Sequence, residues 1–100
     1  MAHRSFTHFA YLLRCADGTL YAGYTRDLAA REARHNQGHG GRYTAGRLPV
    51  RIVYCESFET QSAAMAREFA LKRLTKTEKE ALVRRRLRSS ALRWRRHASD

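Results

Sequence analysis

The sequence predicts one small domain of the α/β or α+β class, built on a small sheet. Three observations carry this. A chain of 100 residues suits a single domain, and 43% apolar content supplies a core. The periodic segments run strand, strand, helix, strand, helix, helix. Only Ala16-Asp17-Gly18 separates the first two strands, a turn signal that makes them an antiparallel hairpin.

Residues 8–15 (HFAYLLRC) read as the first strand and residues 19–24 (TLYAGY) as the second. Two loop lengths suit them. A two-residue Asp17-Gly18 loop pairs Arg14 with Tyr21 and sends Tyr11 and Tyr21 to opposite faces. A three-residue loop, with Gly18 left-handed, pairs Leu13 with Tyr21 and Tyr11 with Gly23. Tyr11, Leu13, Tyr21 and Gly23 then share one face.

Asp27 is a good N-cap for a helix over 28–37. Arg31 and His35, spaced i, i+4, project from one side of it. Residues 38–46 (GHGGRYTAG) predict a glycine-rich loop whose Arg42 and Tyr43 can touch a phosphate or a base. Residues 50–56 alternate as a third strand. An alanine-rich helix over 62–74 carries Arg67, Glu68, Lys72 and Arg73, with Ser62 and Thr75 reading as caps. Either Thr75 with Glu78 or Thr77 with Glu80 can form a capping box, so a last helix begins near residue 76. It is expected to run to about residue 95 on the apolar stripe Val83, Leu87, Ala91 and Trp94, crowded by Arg84, Arg85 and Arg86 among others.

Lys and Arg number 20 against 9 Asp and Glu, a net charge of +11. Seventeen of the 20 are arginines, whose planar fork meets phosphate through two bonds. The excess excludes an acidic solvating chain and predicts a polyanion as partner: DNA, with RNA also admitted. Residues 67–97 hold a net +9 and residues 1–66 only +3. Residues 1–85 therefore read as the domain and 86–100 as a basic extension, either a helix packed by its stripe or an arm that orders on nucleic acid.

The longest unbroken apolar run, Phe9 to Leu13, is too short to span a membrane. Arg14 interrupts the one candidate signal-peptide core, so the expectation is a cytoplasmic protein with no membrane partner, a monomer being favoured. Cys15 and Cys55 sit in strand-like runs and read as buried free thiols. Neither HExxH, CxxC nor GxSxG occurs, and the glycine-rich segment lacks the spacing and context of a P-loop.

One ordered set is more specific. Tyr11 precedes Tyr21 by ten residues, and Tyr21-Ala22-Gly23 ends the hairpin. Arg31 and His35 follow in the frame Asp27-Leu28-x-x-Arg31-x-x-x-His35. Glu68 sits on the later helix, before Leu71-Lys72-Arg73-Leu74-Thr75. Over roughly residues 7–85 this resembles the GIY-YIG nuclease superfamily, and within it the small stand-alone bacterial members. The resemblance implies a three-stranded antiparallel sheet flanked by helices, and phosphodiester cleavage with a divalent metal. It implies catalytic roles for Tyr11, Tyr21, Arg31, His35 and Glu68, with Glu68 the metal ligand. The first triplet here is Phe9-Ala10-Tyr11, and Tyr24 stands where many members carry a basic residue.

These residue types suit the chemistry. Mg²⁺ or Mn²⁺ takes a carboxylate such as Glu68 and keeps several waters. Arg31 can make paired, charge-assisted bonds to a phosphate. His35 titrates near neutral pH, while Tyr11 starts near a pKa of about 10; with Tyr21 they are the candidates for activating or orienting water. If both tyrosines serve one site they must share a face, which selects the three-residue hairpin loop. The leading expectation is a metal-dependent endonuclease on DNA, favouring single-stranded or branched substrates. Arg42, Tyr43, Lys72, Arg73, Arg84, Arg85 and Arg86 are the expected strand contacts. The rival is a non-catalytic nucleic-acid-binding module on the same fold.

Overall fold

The computed structural model describes residues 5–87, with residues 86 and 87 described in their backbone alone. In order, the elements are β1 (His8–Arg14), β2 (Leu20–Thr25), α1 (Leu28–Asn36), α2 (Arg42–Ala45), β3 (Arg51–Phe58), α3 (Gln61–Lys72) and α4 (Lys76–Leu87). The strands form one antiparallel sheet in the order β2-β1-β3.

The hairpin takes the three-residue loop. Leu13 pairs with Tyr21 and Tyr11 with Gly23. Gly18 has φ +88°, and its N–H donates to Cys15 O at 2.9 Å. The Asp17 carboxylate accepts from the Thr19 N–H at 3.1 Å and hydroxyl at 2.7 Å, which pins the turn.

Because β1 is central, it is covered on both faces, and this explains its unbroken apolar run. On one face Ala10 and Leu12 join Leu20, Ala22 and Tyr54 beneath Leu71 of α3 and Val83 of α4. On the other, Tyr11, Leu13 and Cys15 join Ile52 and Cys55, covered by Leu28 of α1. Both cysteines are buried and unbridged, as expected.

A register shift between Leu12 and Leu13 leaves Val53 as the extra residue of a bulge in β3. Next to it the Ile52 N–H donates to Glu32 of α1 at 2.7 Å. Asn36 donates to Val50 O at 2.9 Å and accepts from Val50 N–H at 2.7 Å. This two-way clamp ties the end of α1 to the entry of β3, and it uses the chain's one asparagine.

Two local expectations are corrected and one alternative is settled. Thr60, not Ser62, caps α3: its hydroxyl accepts from the Ala63 N–H, because β3 ends late enough to leave Thr60 extended. Residues 42–45 form a helical turn rather than loop, closed by Ala45 N–H to Gly41 O at 3.0 Å. Of the two capping boxes open to α4, the structure uses Thr75 with Glu78. Glu80 is engaged elsewhere, accepting from both Arg14 terminal nitrogens at 2.6 and 2.8 Å. The stripe positions Ala91 and Trp94 and residues 88–100 of the extension lie outside the described residues, and of Arg86 and Leu87 only the helical backbone is described.

The Arg14–Glu80 pair staples α4 to β1. Hydrogen bonds from Arg14 hold the Glu80 carboxyl down at about 2, below its usual 4.5. The stabilisation is present above pH 4.5 and is lost as pH falls toward 2, because the unfolded chain takes up the proton first. Both side chains are partly solvated (32% and 24% exposed), so Glu80→Gln should cost about 1–2 kcal/mol at pH 7. Urea unfolding at pH 7 and pH 3 should show the difference between variant and wild type shrinking in acid.

Candidate active site

Tyr11 stands at the middle of the central strand, and its ring lies across its cross-strand partner Gly23. A Cβ at position 23 would overlap the ring's Cζ and hydroxyl oxygen, so only glycine leaves room there. The phenol meets His35 Nε2 at 3.3 Å, and His35 Nδ1 meets Thr44 Oγ1 at 2.9 Å. Tyr11, His35 and Thr44 are each 1% exposed. A Cβ at Gly40 would overlap the His35 ring, so a second glycine walls the chain of groups.

The direction of these bonds follows from the partners. The Thr44 hydroxyl donates to Gly41 O at 3.5 Å, so its lone pairs face His35. On that footing we assign the tautomer in which His35 Nδ1–H donates to Thr44 and the Nε2 lone pair accepts the Tyr11 O–H. Burial, then the charges of Arg31 and Arg34, push the His35 pKa below 6.5, keeping the ring neutral at pH 7. Burial likewise pushes the Tyr11 phenol up to about 12, opposed in part by the Arg31 guanidinium against its hydroxyl.

The other expected residues converge here. The Tyr21 ring packs edge-on to His35 at 6.2 Å and stacks on Tyr43 at 5.5 Å. Glu68, on α3 across the sheet, is close enough for its charge to act on Tyr11. Tyr11, Tyr21, Arg31, His35 and Glu68 thus gather around one phenol. Sequence reasoning had His35 available to water; its burial and two engaged nitrogens place it behind Tyr11 instead.

The expected strand contacts are dispersed. Tyr43 is 41% exposed and joins the group through Tyr21, with exposed Arg42 beside it on α2. Lys72 is exposed at the end of α3 and pairs with Glu68 at 3.6 Å. Arg73 lies 5.6 Å over the Phe69 ring, and Arg84 and Arg85 are exposed on α4.

Sequence reasoning missed Thr44, Gly40 and Arg47. The Arg47 guanidinium sits 4.0 Å over the Tyr43 ring, donates to Tyr43 O at 2.7 Å and pairs with Asp17 at 3.1 Å. These contacts lock α2 against the hairpin turn. Nothing in the local pattern marked them.

Among the described residues no three His, Cys, Asp or Glu side chains gather into a metal cage. Glu68 nevertheless fits a divalent cation shared with substrate. Its carboxylate is partly open, and its partner Lys72 is 52% exposed and free to swing aside. A hard cation needs only one or two carboxylates when phosphate oxygens and water complete its shell.

A family model described as the GIY-YIG catalytic domain matches residues 7–81. A UPF0213 protein of Halobacterium salinarum is 49% identical over 75 residues, covering 75% of this chain and 97% of its own. A UPF0213 protein of Staphylococcus aureus is 45% identical over 80 residues, covering 80% and 98%. Two solution NMR structures are similar. The UPF0213 protein from Bacillus halodurans has 40% identity, a TM-score of 0.51, and coverage of 79% of this chain and 84% of that one. A protein from E. faecalis has 38% identity, a TM-score of 0.52, and coverage of 86% and 93%. Among the described residues no helix is long and apolar enough to cross a membrane.

Proposed function

Because the chain belongs to the GIY-YIG family, we propose that it is a metal-dependent endonuclease hydrolysing DNA phosphodiester bonds, with single-stranded or branched DNA preferred. The observation that supports this best is the convergence on one buried phenol. His35, Arg31, Tyr21 and Glu68 come from three different elements, yet all act on the Tyr11 hydroxyl or its His35 partner.

In this reading Arg31 pairs with the scissile phosphate and opposes the charge that grows on it. Tyr11 takes a proton from the attacking water on its oxygen as it passes its own to His35 Nε2. A free phenolate, costly at a pKa of about 12, is thereby never required. Thr44 holds His35 in the tautomer that can receive that proton. Tyr21 walls the site and orients the water. Mg²⁺ or Mn²⁺, held by Glu68, would supply positive charge at the departing 3′ oxygen.

The test is a cleavage panel over single-stranded, duplex, flap and junction DNA with Mg²⁺ or Mn²⁺. Cleavage is expected, with Arg31→Ala lowering it about 10²-fold or more. The rate should fall as pH drops through the lowered His35 pKa, below 6.5, because the imidazolium has no lone pair for Tyr11. Salt-sensitive binding with no cleavage on any substrate would instead make the protein a non-catalytic nucleic-acid-binding module.

A further inference from the structure

Beside the Tyr11 group lies an open cleft of about 490 Å³, within the range of ligand pockets. Arg26, Arg31 and Arg34 line it, with Tyr24 and Gln61. It sits where β2 passes into α1, and Arg31 belongs both to the cleft and to the Tyr11 site. The cleft is therefore a continuation of that site.

Its electrostatics are unbalanced. Among the described residues no carboxylate forms an ion pair with Arg26, Arg31 or Arg34. One acidic side chain, Asp27, lines the cleft, and it accepts from the Ala30 N–H at 3.0 Å to cap α1. Three guanidinium groups around one void repel each other until an anion enters. The guanidinium fork suits phosphate oxygens in particular.

The cleft also has an aromatic wall. Tyr24 is half-buried, its hydroxyl hydrogen-bonded to His8 Nδ1 at 2.7 Å and its ring stacked with His8 at 6.0 Å. These contacts hold the ring in place before any ligand arrives. A fixed aromatic beside paired cations is the arrangement that takes one nucleotide of a single strand, base on ring and phosphate on arginine.

We propose that this cleft is a subsite for single-stranded DNA, seating the nucleotide next to the scissile phosphate. Arg26 and Arg34 take its phosphate and Tyr24 stacks on its base. The subsite's position relative to a scissile bond rests on the endonuclease reading; its capacity to bind does not.

Binding of a fluorescent single-stranded oligonucleotide to the full chain, followed by anisotropy in EDTA across a salt series, tests this. Arg26→Ala with Arg34→Ala should weaken binding about tenfold or more, and should flatten the slope of log K against log salt by about 1.4. Arg51→Glu removes the same net charge from β3 and serves as the control. Tyr24→Leu should weaken binding about fivefold or more while leaving the slope unchanged. Arg26→Lys with Arg34→Lys should restore the slope. Both arginines are exposed and circular dichroism should report an intact fold for each variant.

A double alanine variant that matches wild type, or merely matches Arg51→Glu, overturns the subsite. A Tyr24→Leu variant that binds as wild type overturns the stacking role. Binding in EDTA is blind to cleavage, so the two readings fail separately. A chain that binds through the cleft and cuts nothing loses the endonuclease and keeps the subsite. A chain that cuts normally while the double variant binds as wild type loses the subsite alone.

Discussion

Glu68→Ala is expected to lower metal-dependent cleavage by about 10²–10⁴-fold while leaving the folded state almost untouched. The two halves of that expectation have different causes. For the fold, Glu68 offers one ion pair, to Lys72 at 3.6 Å with Lys72 largely in solvent. Such i, i+4 surface pairs are worth about 0.3–0.5 kcal/mol, and alanine is the better helix former, so the melting temperature should move little. For the chemistry, Glu68 is the carboxylate among the described residues whose charge acts on Tyr11. Without it the phosphate and the departing oxygen would face the reaction with Arg31 alone. Single-turnover cleavage with saturating Mg²⁺, beside a thermal melt, separates the two. Cleavage at the wild-type rate would remove Glu68 from the site and take the metal assignment with it.

Gly23→Ala is expected to damage both fold and activity. The new methyl would meet the Tyr11 ring at its hydroxyl end, and that ring is 1% exposed with its oxygen held by His35. The far end of an exposed tyrosine would simply turn away. Here the ring must push into a packed core or abandon its hydrogen bond. Overpacking of this kind costs about 1–3 kcal/mol. In a chain of this size that lowers the melting temperature by roughly 5–20 °C. A displacement of the phenol by about 1 Å would cost about 10² in rate even in the molecules that remain folded. Gly46→Ala is the control, since a Cβ there meets nothing within 4 Å and its φ of −89° suits any residue. Equal melting temperatures for Gly23→Ala and Gly46→Ala would show that Tyr11 is not confined as described.

Local chemistry explains why so much of the fold could be read in advance. Ala16-Asp17-Gly18 marks a hairpin, Asp27 caps α1, and Thr75 with Glu78 boxes α4. Each of these signals lies within four residues of the structure it makes. Where two local solutions were equally good, tertiary context chose. Ser62 and Thr60 are both competent caps, and the point where β3 stops paired growth selected Thr60. Glu78 and Glu80 both sit three residues after a threonine, and Arg14 drew Glu80 away. The helical turn at residues 42–45 was hidden by its flanking glycines, which read as loop until Thr44 found His35.

The candidate site divides in the same way. Tyr11, Tyr21, Arg31, His35 and Glu68 were legible through an ordered resemblance. The hairpin register that puts the two tyrosines on one face followed from asking them to serve one site, and the strand pairing bears it out. The cleft of Arg26, Arg31 and Arg34 was not legible, because its walls come from the β2–α1 junction and the start of α3.

By itself the sequence determined the kind and order of the elements other than α2, the positive field and the residues suited to phosphate chemistry. Propensity, capping and charge act over a few residues, so they are written locally. Only the tertiary structure decided that the Tyr11 phenol faces His35, 24 residues away, and that the Thr44 hydroxyl meets the other nitrogen of that ring. That contact depends on the sheet's register and on two glycines thin enough to let the rings approach. No periodicity along the chain encodes it.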